Sequence, residues 1–104
     1  MVLRRALGIV ETVGFSAAVA AMDAAAKAAD VNLVGMDRVI GVEKAVGVSI
    51  HFEGEVAAVY AAVEAAVEAA NRVGKVAYFK VIPRPHEELD KILDELKKNI
   101  KTIE

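Results

Sequence analysis

"VSIHFEGEVAAVYAAVEAAVEAANRVG", Val48 to Gly74, changes rhythm partway through. As far as Glu53 the residues alternate, with Val48, Ile50 and Phe52 on one side and Ser49, His51 and Glu53 on the other. That period of two belongs to a strand with one face against a core. After Gly54-Glu55 the period lengthens: Val56, Val59, Val63, Val67 and Ala70 recur at helical spacing. Glu68 and Arg72 stand four apart on that helix, and Gly74 supplies its stop. A strand running directly into an amphipathic helix is half of a layered unit, and the flanking segments decide which one.

Downstream, Lys75 to Ile82 is a β-branched and aromatic run that reads as another strand. Upstream, "VNLVGMDRVIGV" from Val31 is a strand separated from Val48 by a short connection, so the two form a hairpin. Earlier still, Leu7 to Val13 reads as a strand. Ser16 is placed to cap a helix, "AAVAAMDAAAKAA", in which Val19, Met22 and Ala26 share a face and Asp23 pairs with Lys27. Asp30 marks its end. A last amphipathic helix carries Leu89, Ile92, Leu93, Leu96 and Ile100, braced by Glu87–Lys91 and Asp94–Lys98. Strand, helix, strand, strand, helix, strand, helix is an α+β order. Two strand–helix–strand units joined by a hairpin make a ferredoxin-like plait with a four-stranded antiparallel sheet and helices on one face. The other face is open unless the last helix or a neighbouring subunit covers it.

The 104 residues make one domain (1–104), with a core from 6 to 93 and a C-terminal helix or tail from 94 to 104. Hydrophobic residues reach 56% and mean hydropathy is +0.40, yet aromatics are only 5%, so the apolar content is mostly alanine and valine. Such side chains bury little area each. The excess points to close packing of elements and to apolar surface covered by other subunits. A net charge of −2 excludes the basic stripe of a nucleic-acid binder. Without cysteine there is no disulfide, thiol nucleophile or thiolate-held cluster. The N-terminal apolar run is broken by Glu11 and Thr12, and no stretch has the length of a membrane span, so the expectation is a cytoplasmic protein with no membrane partner.

"KVIPRPHEEL", Lys80 to Leu89, sets Arg84 between Pro83 and Pro85. Proline fixes its own φ and restricts the residue before it, so this arginine stands on stiff backbone. Alone, an arginine after a strand is most often simply solvated.

Two longer segments supply a context. "ALGIVETVGFSAAVAAMDAAAKAADVNLVG" and "VGKVAYFKVIPRPHEELDKIL" together resemble the shell proteins of bacterial microcompartments, in the single-domain, hexamer-forming class. The likeness runs from Ala6 to about Leu93. It implies the plait just derived, six copies in a flat tile with a central pore, and tiles meeting edge to edge as a semi-permeable wall around enzymes. It implies no catalysis and no cofactor. The partners implied are copies of itself, other shell tiles, the enclosed enzymes and small polar metabolites crossing the pore. The lysine late in the first helix and the arginine of "PRPH" lie at the tile perimeter in this family. Those positions here are Lys27 and Arg84, with Asp30 and His86 beside them. A guanidinium offers five donors in a fixed fork, and weak edges repeated around a tile add up.

The chain departs from the family at the pore. The usual short Ser/Gly turn is replaced within "LVGMDRVIGVEKAVGVSIHF", about four residues longer, and the pore-loop candidates are Arg38, Val39, Ile40, Gly41, Val42, Glu43, Lys44 and Ala45. In one reading Asp37 to Val46 is a longer hairpin projecting at the sixfold axis, where six copies of Glu43 and Lys44 ring or plug the hole and narrow it. In the other it folds away, and Gly41 or Ala45 lines the axis. The first is favoured.

Plainer roles stand beside these. Lys27 is also an i,i+4 partner of Asp23, and Glu64 and Glu68 read as a solvated helix face. His51 and His86 have no clustered carboxylates and make no zinc site. The principal rival function is an oligomeric small-molecule-binding or sensor protein on the same plait. An enzyme with an inter-subunit site is disfavoured, because no nucleophile–base pair is visible.

Overall fold

A computed structural model describes residues 5–42 and 45–83 together with Leu96; for residues 39–42, 45 and 46 it gives the course of the backbone. The elements are β1 (Ala6–Val13), α1 (Phe15–Ala28), β2 (Asn32–Val42), β3 (Ala45–Gly54), α2 (Val56–Val73) and β4 (Lys75–Ile82). The sheet order is β2-β3-β1-β4, antiparallel throughout, which is the expected plait.

Val48, Ile50 and Phe52 of β3 and Ala6 and Val10 of β1 join the helices in one buried cluster. α2 contributes Val59, Ala62, Val63, Ala66 and Ala70 to it. α1 contributes only alanines, 17, 18, 21 and 25. The stripe of Val19, Met22 and Ala26 is therefore not the buried one: Val19 is 59% exposed, and Met22 packs only at the margin. Small side chains let two helices and a sheet approach closely, so the alanine face outcompetes the bulkier stripe for the interior.

Ser16 does not cap α1. The N-cap position is Gly14, with φ of 85°, and no side chain bonds to the helix end. The β1–α1 turn needs that left-handed backbone, which glycine adopts without strain. The Thr12 hydroxyl, fully buried, donates to the Gly14 carbonyl at 3.2 Å and ties the turn down.

The second face of the sheet is covered in part. Leu7 and Val34 are buried there, and Ile9, Ile82 and Leu96 pack against them. Leu96 thus lies on the face opposite α1 and α2, and the rest of the expected last helix lies outside the described residues. At the outer edge β4 stays exposed: Tyr78 is 46% and Phe79 56% accessible, and Tyr60 of α2, 51% accessible, lines a groove with Phe79. The groove between α2 and β4, about 450 Å³, is lined by Tyr60, Val63, Val67, Phe79 and Val81 with Glu64, Glu68 and Lys80 at its rim.

Candidate functional site

The antiparallel topology sorts the candidate residues between two opposite ends of the sheet. At one end β1 begins and β3 finishes, Ala6 facing Gly54, while β4 finishes with Leu7 facing Ile82. α1 also ends here, and the Asp30 carbonyl lies beside Gly54. Lys27, Asp30 and the exit of β4 towards Arg84 therefore share one end. β2, which follows Asp30, and β4 are the two edge strands, three strand spacings or about 14 Å apart. Lys27 and Asp30 are both exposed. The Lys27 ammonium meets Asp23 at 2.9 Å, the helix pair expected, and its side chain keeps 75% of its surface in solvent. Arg84 and His86 lie outside the described residues.

At the other end stands the β2–β3 hairpin. β2 has 11 residues and β3 has 10, against 8 each for β1 and β4. The row Val39–Gly47–Val13–Lys75 is the last to cross all four strands. Beyond it only β2 and β3 continue, to the pair Val42–Ala45. The register shifts once on the way, two residues of β2 (Ile40 and Gly41) facing one of β3. That is a bulge, which bends and twists a ribbon. β2 and β3 thus continue as a two-stranded ribbon as far as Val42–Ala45. Glu43 and Lys44 lie outside the described residues. Just inside the row, Arg38 is exposed and its N–H donates to the Asp37 carboxylate at 2.9 Å.

Between the ends, the polar side of β3 turns out to be interior. Ser49 is 5% exposed and Glu53 8%, on the face where Leu96 packs. Ser49 Oγ and His51 Nε2 are hydrogen-bonded at 3.0 Å, so a serine–histidine contact exists that residue order alone did not reveal. The signal was there in the spacing, since i and i+2 share a strand face. It is not a nucleophile pair in working order. The serine is buried, and His51 Nδ1 has no orienting partner among the described residues. Burial holds the His51 imidazole below its ordinary value of 6.5, with the charge of Asp37 acting the other way. Glu53 Oε2 is likewise buried without a partner among the described residues. Among the described residues no group of three or more His, Cys, Asp or Glu is placed to hold a metal ion. No helix among them is long and apolar enough to cross a membrane.

Comparison with known proteins gives a uniform result. Residues 6–85 match the BMC domain family. The chain is 45% identical over 91 residues to the bacterial microcompartment shell protein PduA of Citrobacter freundii, covering 86% of this chain and 92% of that one. It is 46% identical over 90 residues to the carboxysome shell protein CcmK2 of a Synechocystis strain, covering 85% and 84%. Among solved structures, a microcompartment protein from Desulfitobacterium hafniense superposes with a TM-score of 0.74 at 34% identity. That match covers 88% of this chain and 49% of the other, so this chain spans about half the length of that protein.

Proposed function

This chain belongs to the BMC-domain family of microcompartment shell proteins, and on that premise we propose that it is a structural, non-catalytic tile of a microcompartment shell in the bacterial cytoplasm. Six copies form the tile, its perimeter meets other tiles through Lys27, Asp30, Arg84 and His86, and its centre is a pore remodelled by the longer hairpin, Arg38 to Ala45. The whole chain, 1–104, acts as one shell domain. Its partners are copies of itself and other tiles, with the enclosed enzymes on the inner side and small polar metabolites crossing at the axis.

The observation that carries this reading is the separation of the two candidate sites. Rim residues at one end of radial strands and an elongated hairpin at the other are what a tile needs, with edge contacts outside and a hole within. The solvent-exposed Tyr60 and Phe79, which line one groove, support assembly too, because a lone small domain rarely leaves such aromatics together in water. Arg84, held between prolines, loses little entropy when it reaches across an edge. One exposed polar contact is worth about 1 kcal/mol, so the sheet depends on repetition around the tile.

Sedimentation and negative-stain imaging at low salt test the reading. Hexamers that associate into sheets or tubes are expected. For Arg84→Ala, hexamers remain and sheets are lost. A wild-type oligomer that stays discrete under all assembly conditions favours the small-molecule-binding alternative, and sheets that persist in the variant remove Arg84 from the edge.

A further inference from the structure

Two apolar surfaces are left over once the core is complete, and they flank the same side of the sheet. Among the described residues the helices lie chiefly over three strands, α1 over β1 and β3, α2 over β1 and β4. Beside β2 the α1 stripe that the core did not take stays open, Val19 being exposed and Leu33 of β2 40% accessible. Met22, Ala26, Val31, Leu33 and Phe52 enclose a recess there of about 220 Å³. Small-molecule pockets run from about 300 to 1,000 Å³, so this recess suits a single side chain. Beside β4 the relief is reversed, because Tyr60 and Phe79 stand out from the flank.

The two surfaces lie level with each other along the strands. Phe79 ends the row Met36–Ile50–Val10–Phe79, and Val81 ends the next, Leu33–Phe52–Gly8–Val81. Both rows face the helices, since Val10, Ile50 and Phe52 are buried in the cluster the helices share. The recess is thus built at the β2 ends of these rows and the aromatic flank at their β4 ends. In the tile reading, on which this rests, strands run from axis to perimeter, so each row keeps one distance from the axis. A rotational ring joins copies head to tail, one flank of each against the other flank of the next. Rotation therefore brings the Phe79 flank of one copy to the recess of its neighbour at matching radius. We propose that Phe79 anchors the seam between copies within a tile, seated in the recess between α1 and β2 of the next copy. The occupant of the recess is a second copy of this chain, and the α1 stripe unused by the core is its binding surface. A buried aromatic in a close-fitting pocket is the kind of residue that dominates an interface.

Phe79→Asp and Leu33→Asp test the two flanks, and circular dichroism checks the fold of each. Sedimentation is expected to show either variant alone as a folded monomer. An equal mixture forms one-to-one dimers, because the intact β2 flank of the first variant meets the intact β4 flank of the second. Phe79→Ala, the milder change, raises the protein concentration needed for hexamers about tenfold or more, as truncation of an interface anchor does. Hexamers of Phe79→Asp, or a Phe79→Ala chain that assembles at the wild-type concentration, overturn the anchor and leave the tile reading standing. A mixture that stays monomeric overturns the flank-to-flank order. A wild-type chain that forms no hexamer overturns the tile reading and the seam with it.

Discussion

Gly35 of β2 lies directly beneath Leu96: a Cβ built on the glycine falls 2.5 Å from the Leu96 Cβ and 3.3 Å from its Cγ and Cδ1. The glycine is the seat on which Leu96 reaches the sheet, next to buried Leu7 and Val34.

Gly35→Ala therefore forces that contact apart. Overpacking of this kind costs about 1–3 kcal/mol. For a domain of this size the melting temperature drops by roughly 4–8 °C per kcal/mol. Leu96→Ala in the same chain does not rescue it, because the nearest clashing atom is the Cβ that alanine retains. Thermal unfolding of the two single variants and the double variant checks this; full recovery in the double variant shows the clash to be with the outer side chain instead.

His51 makes stability depend on pH. Its folded value is depressed by burial, so the unfolded chain binds the proton more readily. The stabilisation is complete above the unfolded value of 6.5 and declines as pH falls from there towards the folded value. His51→Gln is expected to flatten that part of the profile. Chemical unfolding of wild type and variant across pH 5 to 8, values that bracket the ordinary histidine range, reads it directly, and parallel profiles refute it.

Lys27 has a helix partner, Asp23, and a proposed role at the rim, and the two differ in size. The Asp23 pair is exposed on both sides, as is usual for an i,i+4 contact worth a few tenths of a kcal/mol. Asp23→Ala should thus leave both melting temperature and sheet formation nearly unchanged, whereas Lys27→Ala leaves the melting temperature alone and impairs sheets. Equal assembly by the two variants, scored by light scattering, removes Lys27 from the edge.

Much of this molecule was legible as pattern. The alternation of Val48, Ile50 and Phe52 and the helical spacing of Val59, Val63 and Ala70 reflect backbone periods that hold in any fold, so the order of elements and the plait followed. The family was legible too, because "LGIVETVGF" and "VIPRPH" are local strings. The choice of α1 face was not. An alanine stripe and a valine stripe both satisfy the helical period, and only the close approach of α2 and the sheet selects the smaller.

At the candidate site the same division holds. Chain order put a lengthened segment between β2 and β3 and placed Lys27 and Arg84 near element ends, which local residue types determine unaided. That β2 and β3 stay paired beyond the last four-stranded row, that Ser49, His51 and Glu53 turn inward, and that Leu96 rests on Gly35 were decided by tertiary structure. Each depends on which distant strand or helix lies opposite, and register and burial exist only between elements, never within one.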